Sequence, residues 1–334
     1  MPATSSETPR RRNPWLLLPV LALVGAAVLV AVVRLQDAEP ENPLADRTQY
    51  ADPDSGAARA AAAAEEAGEG RAAELLSTLA RVPAGIWLTP EEHPAGEVGG
   101  YVATIAEAAD DADQVPVLVV YGVPDRDCSG GFSAGGLSAQ DYPGWVGEIA
   151  DALADAERAI VVLEPDALVG SLDCGNREQR VRLVAEAAEQ LDEAGATVYL
   201  DGGHSHWKPA EDVAELLRDA GVERVRGFAT NVANYQSDRD ERSYAEELSG
   251  LLDGAHYVID RGRSGPGVSG EPTEWCNPPG RAVGARPEVV DDGQQDAWLW
   301  VKPPGESDGE CNGGPPAGDF WTERALELLE NAGW

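Results

Sequence analysis

The stretch AIVVLEPDALVG, residues 159–170, decides how the chain folds. A run of apolar, partly β-branched residues from Ala159 to Leu163 stops at an acid, a proline and a second acid. Short apolar runs of this kind read as strands buried on both faces. Unpaired carboxylates do not belong in such a strand. The strand therefore ends by delivering Glu164 and Asp166 to one rim. The pattern repeats outward in both directions. VPVLVVYGV (115–123), ATVYLD (196–201), RVRGFATNV (224–232), HYVIDR (256–261) and AWLWVK (297–302) read as strands. Residues 142–157, 176–195, 209–221, 243–255 and 320–334 have helical spacing, with glycine stops at Gly195 and Gly221. The alanine-rich 56–80 runs into an apolar segment and reads as one helix packed on the domain. Strands alternating with helices predict a parallel sheet with right-handed crossovers. The absence of a dinucleotide fingerprint favours an α/β barrel over an open doubly wound sheet.

The chain has 334 residues, 43% of them hydrophobic, enough for a sizeable core. Lys and Arg total 25 and Asp and Glu total 59, a net charge of −34. Such a chain repels phosphate backbones, so nucleic acid is excluded as a partner. The acidity itself reads as solubility or adaptation to a salty medium. Arg10–Arg12 precede 19 uncharged residues, Trp15 to Val33. As a helix these span roughly 28 Å, close to a bilayer's hydrocarbon thickness. The basic tail 1–14 should stay cytoplasmic and the C-terminal bulk lie outside, with 34–41 as a linker and 42–334 as the functional domain. A cleaved signal peptide, and hence secretion, is the competing reading. Cys128, Cys174, Cys276 and Cys311 all fall on the outer side, allow three pairings and contain no C-x-x-C. An oxidising compartment makes two disulfides the default, and sequence order suggests Cys128–Cys174 and Cys276–Cys311.

In a barrel, reactive groups sit just past the C-terminal ends of strands. Those positions hold Tyr121, Arg126 and Asp127, then Glu164 and Asp166, then Asp201, His204 and Trp207. Asn231, Asn234 and Tyr235 follow, then Trp275, then Lys302, Glu306 and Asp308. Any one of these acids alone is better explained as a turn or cap residue. Convergence at every strand end is not. Carboxylates with tryptophans point to sugars, whose C–H faces stack on indole. Cleaving a glycosidic bond needs a protonated acid, and crowded carboxylates raise one another's pKa. Two other readings compete. One is a metal-dependent polysaccharide deacetylase using Asp201, His204 and His206. The other is a catalytically inactive glucan-binding protein.

YGVPDRDCSGGFSAGG (121–136) and VVLEPDAL (161–168) resemble the two signature segments of glycoside hydrolase family 6, the cellulases. YLDGGHSHW, GFATNVANY, EWCNPPGRAVG and WVKPPGESDG resemble later blocks of the same family, over about 42–334. Val169 and the extra Glu310 are small departures. The resemblance implies a distorted barrel of seven parallel strands, cellulose or a related β-1,4-glucan as substrate, and inversion at the anomeric carbon. It implies no metal and no cofactor. Residue by residue, it makes Asp166 the general acid, Asp127 the acid that raises its pKa, and Asp308 the candidate general base. Asp201 matches a further site acid and Tyr121 the tyrosine that distorts the sugar ring. Trp87, Trp207 and Trp275 match sugar-stacking positions. Arg126, His204, Lys302 and Glu306 match polar substrate contacts. The family's two disulfides match the pairing above. Short segments after Trp275 and Glu306 predict an open cleft and endo action by a monomer. Glu164 should face away from the cleft, held by hydrogen bonds or by a cation such as Arg126.

Overall fold

The computed structural model describes residues 42–129, 131–265 and 275–334. In chain order the strands are β1 (Thr48–Gln49), β2 (Ile86–Leu88), β3 (Gln114–Val115), β4 (Val117–Val120) and β5 (Ile160–Leu163). Then come β6 (Thr197–Asp201), β7 (Gly227–Thr230), β8 (His256–Asp260), β9 (Glu288–Asp292) and β10 (Gln295–Leu299). The helices are α1 (Gly56–Ala67), α2 (Gly70–Ala80), α3 (Val98–Asp111), α4 (Tyr142–Leu153) and α5 (Ala167–Cys174). They continue as α6 (Arg177–Glu193), α7 (Ala210–Asp219), α8 (Asp238–Leu251) and α9 (Thr322–Asn331).

β1 and β3 form a small parallel pair. The main sheet runs β2-β4-β5-β6-β7-β8-β10-β9. Seven of its strands are parallel, and β9 alone is antiparallel, on β10. Successive side chains of a strand point to opposite faces. Val117, Val119, Ile160, Val162, Tyr199, Ala229, Val258, Ala297 and Leu299 gather in one cluster drawn from six strands. That requires the sheet to curl until its strands face a shared axis. Their neighbours Leu118, Val120, Val161, Leu163, Val198, Leu200 and Ile259 pack outward in the cluster that includes α3 to α8. Each such side chain is fully buried, which is worth about 1.5–3 kcal/mol apiece.

The curl stops short of a closed ladder, so the seven parallel strands expected as a distorted barrel form a curled half-barrel. β2 and β10 meet where Gly85 N–H donates to Trp300 O at 2.8 Å. The Trp87 indole N–H adds a bond to Val301 O at 3.0 Å. A Cβ on Gly85 would lie 2.3 Å from Val301 O, so a side chain there would hold the edges apart. α1, α2 and α9 pack with Trp300 in a third cluster that covers this seam.

Residues 56–80 form two helices instead of one. Gly68 takes φ 77°, and its N–H caps α1 on the carbonyls of Ala64 and Glu65. β1, β2, α3, α5 and β9 have no counterpart in the expected elements. β2 is three residues long, and α5 begins straight after Asp166, inside the segment read from its strand. The tail 1–14, the membrane span expected over 15–33 and the linker 34–41 lie outside the described residues. Among the described residues no helix is long and apolar enough to cross a membrane.

Candidate active site

The acids at the strand ends fall into two kinds. Three of them are staples, buried and spent on backbone N–H groups. Glu164, after β5, accepts from Gly122 N at 2.8 Å and Val123 N at 3.1 Å, tying the β4 loop to β5. Asp201, ending β6, accepts from Asp166 N at 2.9 Å and Gly203 N at 3.1 Å. Asp260, ending β8, accepts from Gly262 N and Lys302 N, each at 2.9 Å, and from Ala233 N at 3.2 Å. Glu164 does face away from the cleft. Its holders are N–H groups, whereas Arg126 pairs with Glu91 at 2.7 Å.

The others include Asp127, Asp166 and Asp308, which line one cleft of about 1130 Å³, roomy enough for several sugar rings. Glu164 and Asp166 flank Pro165 with left-handed backbones, φ 51° and 66°. Each such conformation costs about 1–3 kcal/mol, and here the stapled loops hold it. The twist sends Glu164 inward and leaves Asp166 half-buried at the cleft wall. Burial first, then the charges of Asp201, Asp127 and Asp308, raise the Asp166 carboxyl well above the usual range, with Arg180 opposing. Burial raises Asp201 too, but its two backbone donors favour its ionised form. Of this coupled pair, Asp166 is therefore the one that keeps the proton.

Asp127 sits in a tight turn at φ 54°. It accepts from the Tyr121 hydroxyl at 3.0 Å and from Ser133 N at 3.0 Å. A Cβ on Gly131 would lie 2.3 Å from the Asp127 side chain, so the loop needs glycine there. Asp308 is buried and held hard. Arg263 Nη1 reaches Oδ1 at 2.8 Å and Oδ2 at 3.0 Å, the Tyr235 hydroxyl reaches Oδ2 at 2.9 Å, and Asn277 N reaches Oδ2 at 3.0 Å. Oδ2 is saturated, and only Oδ1 keeps a lone pair to offer.

Trp87, Tyr121, Arg126, His204, Trp207, Asn234, Trp275, Lys302 and Glu306 line the same cleft. Lys302 bonds Glu306 at 2.9 Å and lies over the Trp87 ring at 4.6 Å, and Trp87 meets Tyr121 edge-on at 5.3 Å. His204 stacks on Trp207, and burial pushes its imidazole down to about 4, so it is neutral. Trp275 is 43% exposed. Three residues have structural tasks beside the expected substrate contact. Arg126 is buried and donates to Tyr121 O at 2.6 Å and to Glu91 at 2.7 Å, so it braces Tyr121. Asn231 is fully buried and bonds Asp260 O at 2.7 Å and Ser264 Oγ at 3.1 Å, off the cleft wall. Asp201 stands behind Asp166. Sequence reasoning missed Arg263, Asn277 and Glu91. RGRSG after β8 was the available signal for Arg263, whereas nothing in sequence marks Asn277 as a donor to Asp308. Both disulfides, Cys128–Cys174 and Cys276–Cys311, are formed, and they clamp the loops carrying Asp127 and Asp308.

The family model described as Glycosyl hydrolases family 6 matches residues 44–332. Endoglucanase A of Cellulomonas fimi is 42% identical over 273 residues, 80% of this chain and 59% of that one. Endoglucanase 1 of Streptomyces halstedii is 36% identical, covering 84% of this chain and 88% of that one. Among solved structures, the endoglucanase Cel6 from Mycobacterium tuberculosis, in complex with methyl-cellobiosyl-4-deoxy-4-thio-β-D-cellobioside, matches with a TM-score of 0.81 and 42% identity. That match covers 88% of this chain and 100% of that one.

Proposed function

The chain belongs to glycosyl hydrolase family 6, and from that premise we propose that it hydrolyses β-1,4-glucosidic bonds in cellulose or a related β-glucan, within chains and with inversion. One observation carries this reading. Asp166 opens to a cleft walled by indoles, and burial, then the charges of Asp201, Asp127 and Asp308, raise its carboxyl well above the usual range. Asp166 donates its proton to the glycosidic oxygen as the bond to the leaving sugar breaks. Positive charge then develops on the ring carbon and oxygen, and the Asp127 carboxylate stabilises it. Tyr121 crowds the ring and is locked in place by Asp127 and Arg126. Water attacks the opposite face of the sugar, and its proton leaves towards Asp308 Oδ1, directly or through a second water. Arg263 Nη1 holds Asp308 at 2.8 Å, so the carboxylate is fixed in place to receive that proton. Trp87, Trp207 and Trp275 stack the flanking sugars.

The endo mode rests on the short loops and on the names of the relatives above. Two disulfides support a working domain outside the cytoplasm, anchored by 15–33 or secreted. The deacetylase alternative has less support. His206 is exposed and shares a 2.8 Å contact with Ser205 Oγ, while His204 is buried against Trp207. Asp166→Asn should lower kcat on unactivated glucan on the order of 10³-fold with little change in KM. Proton NMR of a cellohexaose digest should show α-product first. A wild type that binds cello-oligosaccharides without cleaving them would sink the enzyme reading, and a β-product first would sink inversion.

A further inference from the structure

Among the described residues the large exposed apolar side chains are Phe132, Trp275 and Val289. Two of these three meet at the cleft. The Phe132 ring, 50% exposed, lies 6.3 Å from the Trp275 ring at a tilt of 54°. Phe132 also sits on the backbone of Gly309, where a Cβ would come within 2.1 Å of the Phe132 Cβ. Gly309 has φ 138°, so both room and conformation require glycine there. Phe132 belongs to the loop after β4, five residues past Asp127. Trp275 and Gly309 belong to the loops after β8 and β10, and Gly309 directly follows Asp308. The cleft expected to be open is thus bridged at one point, from the loop of one acid to the loop of another.

Building on the glucan-hydrolase reading, we propose that Phe132 is a specificity-determining clasp over the cleavage point. A glucan entering by its end slides beneath the ring. A glucan attacked in mid-chain must first part Phe132 from Trp275 and Gly309. The clasp is one ring pair and one contact on a glycine, and it opens for each mid-chain attack. Phe132 therefore sets the balance between mid-chain and chain-end attack.

The test compares wild type, Phe132→Ala and Phe132→Tyr on carboxymethyl-cellulose and cellohexaose. Viscosity loss per reducing end formed should rise severalfold in Phe132→Ala, while kcat/KM on cellohexaose does not rise. Phe132→Tyr, which keeps the ring, should match wild type. An unchanged ratio, or an equal loss on both substrates, overturns the clasp. A readout free of hydrolysis uses the Asp166→Asn background. There, Phe132→Ala should speed association of soluble mixed-linkage glucan, followed by tryptophan fluorescence, and an unchanged rate overturns the proposal. If wild type cleaves neither substrate, the hydrolase reading fails while this association rate still decides the clasp.

Discussion

Glu164 and Asp166 lie two residues apart, share a left-handed backbone and carry the same functional group, yet their environments give them opposite tasks. Glu164 is fully buried, and burial pushes its carboxyl up to about 7 against the pull of Gly122 and Val123 N–H. In the unfolded chain the same group titrates near 4.5. The folded state thus binds the extra proton, so this contribution to stability is complete below about 4.5 and is lost as pH rises towards 7. Its size is on the order of 3 kcal/mol. Glu164→Gln keeps an acceptor for both N–H groups and removes the titration. The melting temperature of this variant, followed from pH 4.5 to 7, should fall less steeply than that of wild type. Parallel curves would show that Glu164 is ionised throughout. The sequence marks both acids as strand-end residues. The family resemblance sends Asp166 to the cleft and Glu164 away from it, but does not mark which groups hold Glu164 there, because Gly122 and Val123 N–H come from another strand's loop.

At the scale of elements, each strand carries two messages. Alternate side chains divide into an inner and an outer cluster, and the last residue or the one after it reaches the rim. β5, β6, β8 and β10 were legible because their apolar runs are long and end in charge. β2 was not, since three residues show no period, and its place is set by β4 on one side and by the seam on the other. Gly85 controls that seam. Gly85→Ala would drive a methyl into Val301 O and Val119, separating β2 from β10. The expected cost is about 1–3 kcal/mol, read as a lower urea midpoint. Because Trp87 follows two residues later, glucan binding should weaken as well. A variant as stable as wild type would mean that the seam bears no load.

For the whole molecule, the cross-links and the charge set the working conditions. The disulfides close loops of 46 and 35 residues, and each removes unfolded-state entropy worth about 4 kcal/mol. Replacing Cys128 and Cys174 by serine should therefore lower the urea midpoint. Activity should fall further than stability alone explains, because Cys128 adjoins Asp127. Unchanged turnover in the folded variant would show that the loop orders itself without the cross-link. By itself, the sequence determined the alternating α/β plan, the seven-stranded curl implied by family resemblance, the acidic rim and the four-cysteine framework. Those properties are local, written in apolar runs and in the residues that end them. Tertiary structure alone decided which N–H groups Glu164, Asp201 and Asp260 staple. It also decided that Arg263 neutralises Asp308, that Arg126 braces Tyr121 and that Phe132 spans the opening. The physical reason is that a carboxylate's role follows from the donors and charges around it, and here those come from other strands brought together by the curl of the sheet.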